Sequence, residues 1–241
     1  MVGRDELTGF LDDLLANPSG CEDSSNNGLQ VEGRAWVRRI AFGVDACEQL
    51  FRAAAAEAAD FIVVHHGISW KDSLRYLTGT TGRRVGVLYR NGMSLYASHL
   101  PLDSHPDVGH NAVIADRLAL LDRRPFFECH GAAIGLSGRL PTPQSPAELA
   151  KRTADVLRTE CSVTACGPTT VETVGVVSGG APDAIAACGD RDLDCLITGE
   201  MDHTHYHMAR ERGVNVIAAG HYRTEVPGLE AVRARIESTF D

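Results

Sequence analysis

An apolar run that ends in two histidines and a glycine constrains the fold of this chain most strongly. The run Phe-Ile-Val-Val at 61–64 is followed directly by His65, His66 and Gly67. Four apolar residues rich in β-branched types, with no polar alternation, indicate a strand buried on both faces, as in sheets covered by helices. Ligands of such α/β sheets bind at the carboxyl ends of the strands. Two imidazoles at this position therefore favour a metal site over an ordinary pair of loop histidines.

The composition excludes several classes of protein. The 241 residues carry a formal net charge of -9 and are 44% hydrophobic, which suffices for one large or two small packed domains. No basic stripe is present, so we expect no binding to a nucleic acid polymer, which needs clustered Lys and Arg. No apolar run approaches the ~20 residues of a membrane span, and the charged amino terminus is unlike a signal peptide. We therefore expect a cytoplasmic protein that does not enter a membrane.

The seven cysteines indicate neither a disulfide framework nor a zinc ribbon. Their number is odd, and no Cys-x-x-Cys motif is present. We expect them to serve as small buried apolar residues.

The spacing of apolar residues in the first half predicts alternating helices and strands. A strand over 39–44, with Asp45 as the N-cap of a helix over 46–59, leads into the His65-His66 strand and completes a βαβ unit. The first half is expected to stop at Asp122-Arg123-Arg124-Pro125. Its other predicted elements are helices over 7–15, 83–91 and 111–121, a polar turn that leads into a short strand within 22–31, and a strand over 93–97.

The second half repeats this alternation. Ser145, Pro146 and Glu148 form a predicted capping box at a helix start. The turn Ser178-Gly179-Gly180 precedes another helix and is interpreted as a tight turn rather than a phosphate site, because its spacing matches no nucleotide-binding motif. The remaining predictions are strands over 132–139, 173–177, 194–198 and 214–219 and a helix over 201–212.

The two halves have similar sequence patterns, as an internal duplication would produce. Asp60 precedes the His65-His66 strand, as Asp194 precedes its counterpart strand in the second half. Each half also places an imidazole and a carboxylate just past a strand, as His99-x-x-x-Asp103 and as His221-x-x-x-Glu225. We predict two similar α/β halves, 1–125 and 126–241, with mixed sheets covered by helices and a metal cleft between them. The strand-helix-strand order that is common in α/β proteins is an alternative source of such short repeats.

Several short motifs occur in the order and spacing of a known family. They are Asn-Gly-Leu-Gln-Val at 27–31, Val-His-His-Gly at 64–67, His-Leu-Pro-Leu-Asp at 99–103, Ile-Thr-Gly-Glu at 197–200 and Ala-Gly-His-Tyr-Arg-Thr-Glu at 219–225. From about residue 5 to residue 235 the chain resembles the NGG1-interacting factor 3-like family, whose bacterial members are often named GTP cyclohydrolase 1 type 2 homologues.

The resemblance implies a dinuclear metal centre enclosed by two α/β halves. The ligands of the family map onto five residues, His65, His66, Asp103, His221 and Glu225. The resemblance also implies a homo-oligomer, a toroidal hexamer whose metal sites face an internal cavity. Apolar residues such as Phe126 and Phe127 are further expected to form patches covered by subunit contacts.

The donor types set limits on the metal. Three imidazoles and two carboxylates suit Zn, Fe, Mn or Co and leave the choice among these divalent ions open. His99 is a candidate proton shuttle or outer partner of the metal ligands, and a purely structural role is an equal alternative. His203 and His207, four residues apart, are discounted as a separate metal pair because no third ligand accompanies them.

These residues lead to a hypothesis and one alternative. We expect a hydrolase, of the cyclohydrolase kind, that uses a metal-bound hydroxide on a small nucleotide-like or heterocyclic substrate. The alternative is a non-catalytic metal-binding or protein-interaction module. Hard ligands at strand ends favour catalysis, because a metal carrier would often expose soft ligands.

Overall fold

The computed structural model describes residues 1–240 as a mixed α/β protein with two compact units. The first unit comprises Met1–Leu102 together with residues 229–240, and the second comprises Asp103–Gly228. The predicted fold class, α/β with mixed sheets and helices, is confirmed. The division into halves at residue 125 rests on the sequence repeat and stays a prediction. Within residues 1–240, no helix is both long enough and apolar enough to cross a membrane.

The first unit contains a four-stranded sheet with the strand order β2-β6-β5-β4 and a separate two-stranded ribbon, β1-β3. Its elements are β1 (Val2–Gly3), α1 (Arg4–Leu14), β2 (Gly28–Val31), β3 (Trp36–Val37), β4 (Ile40–Asp45), α2 (Glu48–Ala56), β5 (Phe61–His66), α3 (Gly79–Asn91), β6 (Ser94–Ala97) and most of α10 (Pro227–Phe240). Strands β4, β5 and β6 are parallel, and β2 pairs with β6 in the antiparallel sense. Strand β5 is therefore central and buried on both faces, as its unbroken apolar run requires.

The second unit contains a six-stranded sheet with the strand order β7-β8-β10-β11-β12-β9. Its elements are α5 (His110–Arg117), β7 (Leu121–Cys129), β8 (Ala132–Gln144), α6 (Pro146–Leu157), β9 (Ser162–Thr164), β10 (Val171–Val177), α7 (Ala184–Asp190), β11 (Cys195–Thr198), α8 (Tyr206–Arg212), β12 (Asn215–Ala218) and α9 (His221–Thr224). The boundary between the units falls within the short helix α4 (Leu100–Ser104). Strands β10, β11 and β12 are parallel, with β9 antiparallel at one edge.

The two sheets share a topology. In each, an antiparallel edge strand precedes three parallel strands that are joined by helices. Asp60 accepts hydrogen bonds from the backbone N–H groups of Arg38 and Arg39 before the neighbouring strand. Asp194 accepts the equivalent pair from Glu172 and Thr173. The same polar cap thus closes the same corner of both sheets, which makes an internal duplication plausible.

Two predicted helix boundaries were wrong for local reasons. Asp45 ends β4 and does not cap α2; the cap is Cys47, whose sulfur accepts a hydrogen bond from the N–H of Leu50. The predicted helix over 201–212 begins only at Tyr206, after a 3-10 turn over His203–His205. His203 and His207 therefore do not share one α-helical face.

Residues 122–125, at which we expected the first half to stop, have regular structure. These residues belong to β7, the edge strand of the six-stranded sheet, where Pro125 is tolerated because an edge strand has unpaired positions. Phe126, which we expected in an exposed patch, is fully buried. The neighbouring Phe127 is partly exposed, so at most one of the two side chains contributes to an apolar surface.

Candidate metal centre

Three imidazoles lie together at the carboxyl ends of β5 and β6 in the first unit. His65 and His66 end β5, and His99 follows β6 by two residues. The ring centroid of His65 lies 4.6 Å from that of His66 and 5.1 Å from that of His99. One ring nitrogen of each histidine lies within 4.8 Å of the corresponding nitrogens of the other two. The parallel register of the two strands brings these residues together, because it aligns their carboxyl ends.

Each of these rings is held through its Nδ1 atom. In His65 it lies 2.9 Å from the carbonyl oxygen of Ser98, and in His66 it lies 2.9 Å from a carboxylate oxygen of Asp45. Asp45 and His66 are register partners on adjacent strands, so their side chains share a face of the sheet. An acceptor at Nδ1 places the ring proton there and makes Nε2 the metal-binding nitrogen.

His99 is held by a polar network from the loop before β2. Its Nδ1 atom lies 2.8 Å from a carboxylate oxygen of Asp23, and its backbone N–H donates to the side-chain oxygen of Asn27 at 2.9 Å. Burial disfavours the charged form of Asp23, but hydrogen bonds from His99, Asn27 and the backbone of Ser25 outweigh burial. They hold the pKa of that carboxyl well below its ordinary value. An ionised Asp23 thus anchors the His99 ring.

The loop after His66 is fixed by Gln30. The side-chain oxygen of Gln30 accepts hydrogen bonds from the N–H groups of Ile68 and Ser69 at 2.8 and 3.1 Å. A Cβ atom on Gly67 would lie 2.3 Å from that oxygen, so a larger residue would displace the Gln30 amide from this position. The indole of Trp70, which donates to the carbonyl of Gly67, lies edge-on to His99 with ring centroids 5.1 Å apart. An aromatic ring therefore flanks the imidazoles.

Asp103 is the first of two buried carboxylates in the second unit. Its oxygen Oδ1 accepts a hydrogen bond from the hydroxyl of Ser178 at 3.0 Å. Asn111 connects these residues, because its amide donates to the carbonyl of Asp103 while its oxygen accepts from the N–H of Ser178 at 2.7 Å. A ring nitrogen of the buried His110 also lies within 4.8 Å of a carboxylate oxygen of Asp103.

Glu225 is the second buried carboxylate, and it pairs with His221 four residues earlier. The Nε2 atom of His221 lies 3.1 Å from Glu225, and its Nδ1 atom lies 3.0 Å from Glu200. The hydrogen bond with Glu225 raises the pKa of His221 to about 9, with burial acting against it and Glu200 acting with it. A pKa above neutrality favours the cationic imidazole, and binding of a metal ion to its nitrogen would release a proton.

The glycine turn after β10 provides space for these side chains. Gly179 has a φ of 68°, and a Cβ atom there would lie 2.4 Å from the carboxylate of Glu225. A Cβ atom on Gly180 would lie 3.0 Å from the carboxylate of Glu200. The turn thus faces carboxylates, which supports the tight-turn interpretation over phosphate binding.

The donors fit borderline divalent metal ions. Imidazole nitrogens and carboxylate oxygens without thiolates suit Zn, Fe, Mn or Co. The carboxylates behind Nδ1 of His66 and His221 form the arrangement that commonly supports a metal-binding histidine. His205, by contrast, is held between the carboxylates of Asp183 and Asp202. Both of its ring nitrogens are engaged, so it has no role as a ligand in this structure.

Several of these supporting residues were missed in the sequence. Asp45 was interpreted as a helix cap, and Asp23 and Asn27 as parts of a turn. Gln30 lies within the Asn-Gly-Leu-Gln-Val motif, and Glu200 ends the Ile-Thr-Gly-Glu motif, so a motif signal existed for both. The role of Ser178 depends on contacts between distant segments and left no local signal.

Comparison with known proteins gives one consistent result. The Duf34/NIF3 (NGG1p interacting factor 3) family matches residues 2–241. A GTP cyclohydrolase 1 type 2 homolog of Deinococcus radiodurans is 43% identical over 239 residues, which cover 99% of this chain and 90% of that protein. One of Pyrococcus horikoshii is 42% identical over 240 residues, covering 99% and 95%.

Solved structures agree with these sequence matches. The protein ybgI, whose function is described as unknown, has a TM-score of 0.91 and 33% identity, with 99% of this chain and 94% of that chain covered. A protein of Thermus thermophilus has a TM-score of 0.89 and 40% identity, with coverage of 99% and 95%. The chain belongs to the Duf34/NIF3 (NGG1p interacting factor 3) family.

Proposed function

We propose that this protein is a dinuclear-metal-dependent hydrolase that acts on a small nucleotide-like or heterocyclic substrate. The observation that carries the proposal is the chemistry of the strand ends. In the first unit, imidazoles are oriented by hydrogen bonds at Nδ1, and in the second, carboxylates are buried and held by donors. Nitrogen and oxygen donors that are held in a fixed orientation by hydrogen bonds are typical of a catalytic metal centre.

Five residues would hold the metal ions under this proposal. They are His65, His66, Asp103, His221 and Glu225, and their grouping into one centre rests on the family resemblance. Two bound divalent ions would supply Lewis acidity and a water molecule activated near neutral pH. Asp103 and Glu225 would balance part of the cationic charge, since both are carboxylates.

The remaining residues would prepare the site for a substrate. Asp45 and Glu200 hold the Nδ1 protons of His66 and His221, and Ser178 fixes one oxygen of Asp103. Trp70 offers an aromatic ring beside the imidazoles of His66 and His99, which suits a planar heterocycle. The name GTP cyclohydrolase 1 type 2 homolog, which similar proteins carry, is consistent with a hydrolase of this kind.

Turnover of defined substrates tests the proposal. Metal-loaded protein is incubated with a panel of nucleotides, cyclic amides and phosphodiesters, and the products are identified by mass spectrometry. Metal-free protein and the Glu225→Ala variant are the controls. We expect metal-dependent release of a hydrolysis product that both controls fail to form. Absence of turnover across the panel, with metal bound, would favour the non-catalytic metal-binding or protein-interaction module.

We also propose that the chain forms a closed homo-oligomer, a hexamer by the resemblance of its sequence to the family. Closed point-group symmetry is the usual form of soluble homo-oligomers. Light scattering of the purified protein should give a mass near six times the 25.9 kDa chain. A monomer mass would reject this proposal and leave the hydrolase proposal untouched.

A further inference from the structure

We propose that Lys71 binds a phosphate group of the substrate, so that the substrate is a phosphorylated heterocycle and not the free base or nucleoside. The inference rests on the proposed function and names the class of its substrate. It concerns a tight turn of the first unit, over residues 70–73, which follows β5 and places Lys71 directly after Trp70 in the chain.

The backbone of Lys71 has a conformation that lysine seldom adopts. Its φ angle is 43°, in the left-handed region where Gly, Asn and Asp are the usual residues. The N–H of Ser73 closes the turn by donating to the carbonyl of Trp70 at 2.8 Å. Arg158, another left-handed residue, ends a helix, whereas Lys71 lies in a turn beside the candidate site. Strained residues of this kind cluster at ligand-binding sites, where the surrounding structure maintains the strain.

Both peptide groups of Lys71 are held by the loop that also supports His99. The N–H of Lys71 donates to the carbonyl of Ser24 at 3.0 Å, and its carbonyl accepts from the side-chain amide of Asn26 at 3.0 Å. Asp23 of the same loop lies 2.8 Å from Nδ1 of His99. The backbone from which the lysine side chain extends therefore has a fixed position relative to the ring of His99.

The indole of Trp70 supplies the surface for the heterocycle. Its ring centroid lies 5.1 Å from that of His99 and 6.1 Å from that of His66. Its Nε1–H donates to the carbonyl of Gly67 at 2.8 Å, which fixes the ring. Lys71 is the next residue and has a long flexible stem, so its ammonium group can reach a phosphate attached to a heterocycle on this ring.

The ammonium group of Lys71 has no acidic partner within residues 1–240. The side chain is exposed and forms no ion pair with any residue that the structure describes. The adjacent Asp72 pairs with Arg75 at 3.4 Å, so the charge of Lys71 is the one that this turn leaves uncompensated. Lysine binds phosphate as a point charge, and an unpaired ammonium group on a fixed turn is therefore suited to this anion.

Fluorescence titration of the full-length chain tests the inference. A Trp36→Phe background leaves Trp70 as the only tryptophan. Guanosine 5′-monophosphate should quench its emission with a Kd at least ~10-fold lower than that of guanosine, because the nucleoside lacks the charged contact. Lys71→Met should remove this preference, and Lys71→Arg should keep most of it. Lys151→Met changes the only other lysine and is the matched control, which should keep the full preference.

Three results would overturn the inference. They are equal Kd values for the monophosphate and the nucleoside, absence of quenching by both, and a Lys71→Met variant that keeps the preference. A bound metal ion also attracts phosphate, but it does so equally in the parent chain and in Lys71→Met, so the difference between these chains reports the lysine alone.

A second variant guards against misfolding. Lys71→Gly relieves the left-handed strain, so it should unfold at an equal or higher urea concentration and still lose the preference for the monophosphate. The titration measures binding without turnover, which separates it from the hydrolase proposal. A chain that prefers the monophosphate but hydrolyses nothing would reject the hydrolase proposal alone. Metal-dependent turnover together with equal Kd values would reject this inference alone.

Discussion

The strand ends of the two units differ in chemistry although their sheets share a topology. In the first unit the donors are imidazoles, and each is held by an acceptor, namely a backbone carbonyl or a carboxylate. In the second unit two of the buried donors are carboxylates, and these residues, Asp103 and Glu225, are held by a hydroxyl and an imidazole. The fold therefore fixes where functional side chains emerge, while the local partners decide which donor type each position tolerates.

This difference follows from the cost of burial. A neutral imidazole needs only one acceptor to be buried without a large penalty, and it then offers a lone pair. A buried carboxylate needs hydrogen-bond donors or a cation, because an isolated buried charge is expensive. The second unit meets this need with Ser178 and a cationic His221, so its donors carry their own partial charge compensation before any metal binds.

Removal of the imidazoles gives the largest expected effect. The His65→Ala/His66→Ala double variant should lose essentially all bound metal, since it removes two of the five proposed ligands. Elemental analysis after gel filtration measures the loss, with His203→Ala as the control that retains metal. A double variant with wild-type metal content would refute the assignment of these ligands.

Removal of a carboxylate should have about half that effect. Asp103→Ala and Glu225→Ala should each reduce the metal content from about two ions per chain to about one, because each leaves the second ion short of a charged ligand. The two variants should be affected equally although they are far apart in sequence. Unchanged metal content in either variant would refute the role of that carboxylate as a ligand.

Neutralising the carboxylates that contact Nδ1 of the proposed ligand histidines should weaken metal binding without abolishing it. Asp45→Asn and Glu200→Gln keep the shape of the side chain but remove the charge that supports Nδ1 of His66 and His221. We expect each to weaken metal binding ~10- to 100-fold with little change in folding stability. Competition with a chromophoric chelator measures the affinity, and Glu237→Gln, an exposed position on α10, serves as the charge-matched control.

Two glycines with the same backbone conformation separate backbone strain from an effect on the site. Gly179 and Gly213 have φ angles of 68° and 66°, but a Cβ atom meets Glu225 only at Gly179. Gly179→Ala and Gly213→Ala should each lose about 1–2 kcal/mol of unfolding free energy from the left-handed conformation. Only Gly179→Ala should also lower the metal content, and equal metal content in both variants would contradict the role of this turn.

The smallest expected effect is the difference in folding stability between variants of Asp60 and Asp194, the aspartates at equivalent corners of the two sheets. Besides backbone N–H groups, Asp60 pairs with the charged Arg34, whereas Asp194 accepts from the neutral hydroxyl of Thr173. Asp60→Asn should therefore cost slightly more stability than Asp194→Asn, by less than about 1 kcal/mol. Burial acts against ionisation of Asp60, but its hydrogen bonds and Arg34 prevail and lower its pKa. A lowered folded-state pKa contributes stability above the ordinary value of 3.8 that disappears as the pH falls below it. Urea unfolding at pH 7 and pH 3 measures the free energy of unfolding of both variants. A difference between the variants that is larger at pH 3 than at pH 7 would contradict this role of Asp60.

The sequence predicted the parts of the fold that repeat a local pattern. The apolar run of β5 and the capping box at Ser145 are encoded by neighbouring residues, and both were found where expected. The helix α10 went unpredicted although the buried Leu229, Val232 and Ile236 follow a helical spacing. Its pattern was present in the sequence but lay beyond the last motif.

The sequence failed where a contact between distant segments decides the role of a residue. Asp45 has the composition of a helix cap, but its register against His66 gives it a different partner. Asp23 has the appearance of a turn residue, and only the fold brings it to His99, 76 positions later. Candidate ligands were therefore visible as strand-end motifs, whereas their supporting residues became visible only in the structure.

The edge strand β7 has a consequence for assembly. It carries the charged segment Asp122-Arg123-Arg124, a proline at 125, and positive φ angles of 53° at Asp122 and 54° at Phe127. Charges, proline and local kinks all prevent an exposed edge from accepting a strand of another chain. At the opposite edge, β9 has only 3 residues, too few to template a long ladder. Copies of this chain that associate are therefore expected to meet through side-chain surfaces rather than by joining their six-stranded sheets, which also protects a concentrated solution of the protein against strand-mediated aggregation.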